Sequence, residues 1–118
     1  MVRHKVRAVK RRDMAHITGG GFYDNIPRVL PAQVEARIHF GSWQMPPVFN
    51  WLKEAGNLTW PEILQIFNGG IGFVLVLPAD QAEEAISRIQ AFKLRAWCIG
   101  DVVRRSRDDE NEQVIVNF

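Results

Sequence analysis

The residues best suited to chemistry gather near the start of the chain: His16, Thr18 and the run Gly19-Gly20-Gly21, just ahead of a short helical stretch. Backbone N–H groups at a helix start lack intrahelical partners, and the helix dipole adds partial positive charge there. A phosphate or carboxylate is therefore favoured at such a turn. Glycines let an anion approach the backbone without side-chain obstruction. His16 and Thr18 flank the turn and would add an imidazole and a hydroxyl. The run fits neither G-x-x-x-x-G-K-[ST] nor G-x-G-x-x-G, so on spacing alone a flexible turn is the simpler reading. A second cluster, Asn68-Gly69-Gly70-Ile71-Gly72, falls at a helix-to-strand junction. A C-cap followed by a close strand–backbone approach accounts for it.

Other candidates carry less. His4, His16 and His39 lack ligand spacing, and no metal site is expected. Cys98 lies in an apolar stretch and reads as a core residue rather than a nucleophile. Trp43, Trp51, Trp60 and Trp97 are too scattered for a base-stacking platform and are expected to pack the core or a partner's surface. No Ser-His-Asp order or paired-carboxylate motif is present, and no catalytic residue is assigned.

The elements that position these residues follow from periodicity. Residues 23–30 read as a short helix, with Asp24 and Asn25 at its start and Pro31 ending it. Val34, Ala36, Ile38 and Phe40 alternate with polar residues, the pattern of a half-buried strand. Pro46-Pro47 introduces a helix whose Val48, Trp51, Leu52 and Ala55 share one face, and Gly56-Asn57 stops it. Thr59 and Glu62 form a capping box for the next helix, with Ile63, Leu64 and Phe67 as its buried stripe. Residues 71–77 are a continuous apolar run, which predicts a central strand covered on both faces. A helix follows, with Asp80 and Glu83 at its start and Ala82, Ala85, Ile86, Ile89 and Phe92 at helical spacing. Residues 96–103 and 113–118 complete the set as two strands joined by a charged hairpin loop over 104–112. The fold class is α/β or α+β, a mixed sheet of about four strands flanked by helices.

Composition narrows the function classes. The chain has 118 residues, 47% of them hydrophobic, one Cys and a net charge of +2. That length holds one compact domain and excludes a two-domain enzyme. A lone cysteine excludes a disulfide framework and fits a reducing cytoplasm. No apolar run approaches the roughly 18 residues of a membrane span, so no membrane is expected as partner. Residues 1–12 hold six bases and no acid, so the other nine bases face all thirteen acids and positions 13–118 carry −4. The basic run suits a polyanion, but it lacks interleaved aromatic residues, so a solvated, disordered arm is favoured over a nucleic-acid contact.

Longer stretches add a resemblance. Ala15-His-Ile-Thr-Gly-Gly-Gly-Phe-Tyr-Asp-Asn-Ile-Pro-Arg-Val-Leu-Pro31 closely resembles the A-H-I-T-G-G-G-…-N-[IL]-P-R-V-L-P signature of the phosphoribosylformylglycinamidine cyclo-ligase family, the aminoimidazole ribonucleotide synthetases. Ser42-Trp43 with Pro47, Phe49 and Trp51-Leu52 resembles the family's S-W-…-P-…-F-…-W-L helix start. Phe67-Asn68-Gly69-Gly70-Ile71-Gly72 resembles its F-N-x-G-[IV]-G-M run, with Phe73 where Met is usual. Ala96-Trp97-Cys98-Ile99-Gly100 resembles its A-[WY]-x-I-G strand. The shorter H-x-T-G-G-G is shared with a wider superfamily, and the N-I-P-R-V-L-P extension narrows it to the cyclo-ligase.

The resemblance implies a C-terminal domain layered around a mixed sheet, within a homodimeric enzyme of de novo purine biosynthesis. Such enzymes use ATP and Mg to activate the formyl oxygen of formylglycinamidine ribonucleotide, after which a nitrogen closes the imidazole ring. It also implies that His16, Thr18, Gly19, Gly20 and Gly21 hold the substrate's phosphate or the nucleotide end of a cleft, and that Asn68 and Gly70 shape the neighbouring wall. The family's N-terminal domain, which builds most of the ATP site, has no counterpart here, so neither ATP nor Mg is expected on this chain alone. The basic residues 1–12 stand where the family carries apolar helical sequence, which suggests a truncated piece, a split gene product or a relic with a replaced start. Residues 13–118 are then a partial C-terminal domain. It would be inactive alone, with a ribonucleotide ligand and either self-association or an N-terminal domain supplied in trans. The alternative is a stand-alone phosphate- or nucleotide-binding regulatory module that reuses the H-I-T-G-G-G loop.

Overall fold

The structure is a computed structural model that describes residues 2–4, 13–105 and 112–118. Six strands form one mixed sheet: β1 (Val2–His4), β2 (Asp13–His16), β3 (Val34–His39), β4 (Phe73–Pro78), β5 (Gly100–Arg104) and β6 (Val114–Asn117). Their order across the sheet is β2-β4-β1-β5-β3-β6. β1 runs parallel to β4 and β5, and β3 parallel to β6, whereas β2–β4 and β3–β5 are antiparallel pairs. The helices are α1 (Gly21–Asn25), α2 (Val48–Ala55), α3 (Trp60–Ile66) and α4 (Ala82–Ala91), with 3-10 turns at Pro27–Val29 and Ala79–Gln81.

The α/β class and mixed sheet agree with the sequence reading, but its count of about four strands falls short by β1 and β2. β1 also corrects the disordered-arm expectation for Val2–His4. A strand between β4 and β5 finds backbone partners on both sides, so it does not need a strong pattern of its own. The rest of the expected arm, residues 5–12, lies outside the described residues. The expected hairpin at the C-terminal end is also absent, because β3 inserts between β5 and β6. Residues 106–111 of that loop lie outside the described residues. β5 begins at Gly100, four residues later than the reading of 96–103.

Local signals fared better. Thr59 caps α3 as expected: its hydroxyl oxygen accepts from the Glu62 N–H at 3.4 Å, and the hydroxyl donates to Glu62 Oε1 at 3.1 Å. The helix expected over residues 23–30 divides at Pro27, which starts a separate 3-10 turn. Proline lacks the N–H that would continue α1, and its ring crowds the carbonyl four residues back.

One face of the sheet is sealed. Val74, Val76, Ala36, Ile38 and Val102 meet Phe22, Ile26 and Leu64 from α1, its following residue and α3. Full burial of each large side chain contributes about 1.5–3 kcal/mol. The other face is not sealed, which corrects the reading of β4 as covered on both sides. Phe73 remains 58% exposed, and Leu75 and Leu77 are only half-buried. α2 likewise turns its expected apolar face outward: Val48, Trp51 and Ala55 are exposed, and Phe49 is the side chain it buries.

Candidate functional site

The two glycine-rich turns meet above the sealed face. Ile17, the first residue after β2, donates its N–H to the Gly72 carbonyl at 2.8 Å, so the two clusters are hydrogen-bonded neighbours. Gly21 then packs against the last turn of α3. Its φ of 62° is left-handed, and a Cβ there would collide with the Leu64 carbonyl oxygen. Gly20, with φ of 91°, turns tightly over the Asp24 side chain. Gly19 is different, because a Cβ there would meet nothing within 4 Å.

The second turn is anchored from another direction. The buried Trp43 indole donates to the Gly69 carbonyl at 2.9 Å, and its ring lies edge-on to Phe22 of α1. Asn68 Oδ1 accepts from the Gly70 N–H at 2.8 Å, which closes the turn locally. Gly70 takes φ of 92°, and a Cβ on it would strike the Pro46 ring. Trp43 therefore couples both turns into one wall, a role that the scattered tryptophans did not reveal in sequence.

The predicted site residues divide by exposure. His16, Thr18, Gly19 and Gly70 are exposed, Gly20 and Asn68 are half-buried, and Gly21 is buried. His16 and Thr18 lie on either side of buried Ile17, and the His16 imidazole stacks on Phe73 with ring centres 4.7 Å apart. α1 has five residues and carries Asp24 in its first turn, so its dipole end already faces a carboxylate. Any anion held here must depend on the Gly19–Gly20 backbone, His16 and Thr18 more than on the helix dipole. Among the described residues, no group of three or more His, Cys, Asp or Glu side chains is placed to hold a metal ion.

Asn25 is the residue the sequence reading misplaced. It ends α1 rather than starting it, and it is 2% exposed. Its Nδ2 donates to the Gly21 carbonyl at 2.7 Å and reaches the Thr18 and Gly19 carbonyls at 3.3 Å. Its Oδ1 accepts from the Thr18 hydroxyl at 3.3 Å. One buried amide thus fixes the curvature of the glycine turn. The signal was available: Phe22, Asn25 and Ile26 stand at i, i+3 and i+4, so a helix that buries Phe22 and Ile26 also buries Asn25.

Tyr23 gives the wall a pH signature. Burial, reinforced by the Glu112 carboxylate, raises its phenol above the ordinary 10.0. A raised pKa means that the fold favours the protonated form. That stabilisation is complete below pH 10.0 and is lost as pH rises through the folded-state value. Tyr23 is the single tyrosine of the chain, so the phenolate ultraviolet band titrates it alone. We expect a midpoint above 10.0 in the folded protein, a return to the ordinary value in urea, and a flatter alkaline stability profile for Tyr23→Phe.

Comparison with known proteins gives a consistent picture. The family described as AIR synthase related protein, C-terminal domain, matches residues 3–111. A phosphoribosylformylglycinamidine cyclo-ligase of Nitratidesulfovibrio vulgaris (strain DSM 19637 / Miyazaki F) is 57% identical over 118 residues, 100% of this chain and 33% of that protein. The protein of the same name from Oleidesulfovibrio alaskensis (strain ATCC BAA-1058 / DSM 17464 / G20) is 52% identical over 117 residues, 99% of this chain and 33% of its own length. That of Lawsonia intracellularis (strain PHE/MN1-00) is 48% identical over 113 residues, 96% of this chain and 32% of its own. The chain therefore spans about a third of these relatives. The match to the first of them covers the whole chain, residues 1–12 included.

Proposed function

We propose, from the premise that this chain belongs to the AIR synthase related protein C-terminal domain family, that it serves as the ribonucleotide-binding C-terminal part of a phosphoribosylformylglycinamidine cyclo-ligase. The observation that carries this reading is 57% identity along the whole chain to one third of an enzyme of that name. The wall formed by the two glycine turns supports it. In this reading the backbone of Gly19 and Gly20, with Thr18 and His16, receives the phosphate-bearing end of formylglycinamidine ribonucleotide. Gly21 is held behind them by α3, and Asn68 and Gly70 set the height of the adjoining wall.

The reaction is ATP-dependent closure of the imidazole ring in purine biosynthesis. ATP, with magnesium, supplies the activation of the formyl oxygen. We assign that half of the chemistry to the remaining two thirds of the enzyme, whether fused or associated in trans. No helix among the described residues is long and apolar enough to cross a membrane, and we place the protein in the cytoplasm, where its lone thiol stays reduced.

The test is an assay for ring closure with ATP, magnesium and formylglycinamidine ribonucleotide. The 118-residue chain alone is expected to give no product. Adding the remaining two thirds of the Nitratidesulfovibrio vulgaris relative as a separate polypeptide is expected to restore it. Turnover by the chain alone would overturn this reading. Ribonucleotide binding without turnover in either mixture would favour the regulatory-module alternative.

A further inference from the structure

The end of β2 and the start of β4 bring two rings together. The strands pair antiparallel, with His16 directly opposite Phe73. Just past that pair, the Ile17 N–H donates to the Gly72 carbonyl at 2.8 Å. Antiparallel ladders alternate between hydrogen-bonded and non-hydrogen-bonded pairs. A bond between 17 and 72 therefore leaves 16 and 73 as a non-hydrogen-bonded pair, the kind in which side chains approach most closely. The rings use that proximity: their centres lie 4.7 Å apart and their planes differ by 17°, a stacked arrangement. Phe73 is nevertheless 58% exposed. What its ring gains here is contact with the imidazole, more than burial in the core.

Stacking restrains an imidazole in a particular way. It covers a face of the ring and leaves the edge, which carries both nitrogens, open to a ligand. Among the described residues, neither ring nitrogen of His16 has a hydrogen-bond or ion-pair partner. An imidazole without such partners is free about its side-chain torsions, and ordering it on a ligand costs affinity. The stack supplies that order before the ligand arrives. The backbone beneath is fixed too, because Ile17 is 2% exposed and anchors the chain between His16 and Thr18.

We infer that Phe73 is a positioning residue. Its ring holds the His16 imidazole in one orientation, so that a ring nitrogen is presented to the phosphate-bearing end of a ribonucleotide at the turn formed by Thr18, Gly19 and Gly20. The inference rests on the reading of that turn as a ribonucleotide wall, and it gives an affinity-setting task to an apolar side chain that acts only through its neighbour. A purely structural cross-strand pair would instead stabilise the β2–β4 register and act on affinity independently of His16.

The test uses the full 118-residue chain with Phe73→Leu, Phe73→Tyr, His16→Ala and a variant carrying both Phe73→Leu and His16→Ala. The first readout needs no ligand. The imidazole proton resonances of His16, assigned by their loss in His16→Ala, are expected upfield of free histidine because of the Phe73 ring current. They should return in Phe73→Leu and stay shifted in Phe73→Tyr. The second readout is calorimetric titration with formylglycinamidine ribonucleotide. Phe73→Leu is expected to weaken affinity about fivefold, and Phe73→Tyr to retain it. His16→Ala should weaken affinity at least as much as Phe73→Leu, and adding Phe73→Leu to it should change nothing further.

Unshifted His16 resonances in the unaltered chain would overturn the inference without any ligand. Undiminished affinity in Phe73→Leu would overturn it and leave the ribonucleotide wall standing. So would a further loss of about fivefold when Phe73→Leu is added to His16→Ala, which would place Phe73 in the fold rather than behind the imidazole. A chain that shows the stack but binds no ribonucleotide would overturn the wall and this inference together. If Phe73→Leu fails to fold, Phe73→Ile, a strand former that also lacks a ring, takes its place.

Discussion

Gly21→Ala is expected to lower the unfolding free energy by about 4 kcal/mol, enough to unfold much of a marginally stable chain. Two costs combine. The φ of 62° penalises any Cβ, and this Cβ would point at the Leu64 carbonyl oxygen. α3 cannot retreat cheaply, because Ile63 and Leu64 are fully buried beside it. Gly19→Ala is the internal control, since its Cβ enters open space and its effect should stay within about 0.5 kcal/mol. Urea unfolding midpoints of the two variants check the contrast. Equal midpoints would mean that the glycine turn does not pack on α3 as described.

Asn25→Ala is expected to cost about 3 kcal/mol. The substitution removes the amide donor shared by the Thr18, Gly19 and Gly21 carbonyls and leaves the buried Gly21 carbonyl without it. Asn25→Asp should be no better, because a carboxylate accepts hydrogen bonds and cannot donate to carbonyls. Urea unfolding measures the loss. Amide chemical shifts at residues 18–21 should move in the folded fraction, whereas shifts on β3 should not. A loss below about 0.5 kcal/mol would mean that the turn holds its shape without Asn25.

How much of this could be read from the chain depends on the range over which each feature is determined. The α3 cap was legible because Thr59 and Glu62 settle it within one turn. The left-handed backbone at Gly20 and Gly21 was implied by the glycines themselves. The second glycine cluster read as a simple C-cap, and its connection to the first through Ile17 and Gly72 spans residues far apart in the chain. β1 was hidden for a related reason: its place depends on β4 and β5, and a count of bases describes only its own side chains. The hairpin expected between β5 and β6 followed from adjacency in sequence, whereas β3 meets both of them and separates them. For α2, helical spacing identified an apolar face at Val48 and Trp51 but could not say which way it points. Asn25 was the avoidable error, since its buried phase was written in the spacing of Phe22 and Ile26.

Gly19 allows the sharpest test of the proposed ribonucleotide wall, because a side chain there changes charge without disturbing packing. The measurement is calorimetric titration of formylglycinamidine ribonucleotide into the chain and into Gly19→Asp, with urea midpoints recorded for both. The account predicts saturable binding to the unaltered chain and affinity weakened at least about tenfold in the variant, as a carboxylate meets the phosphate. The unfolding midpoints should coincide. Equal affinity in the variant, or no binding to the unaltered chain, would contradict the assignment of the glycine turn as the phosphate-receiving wall.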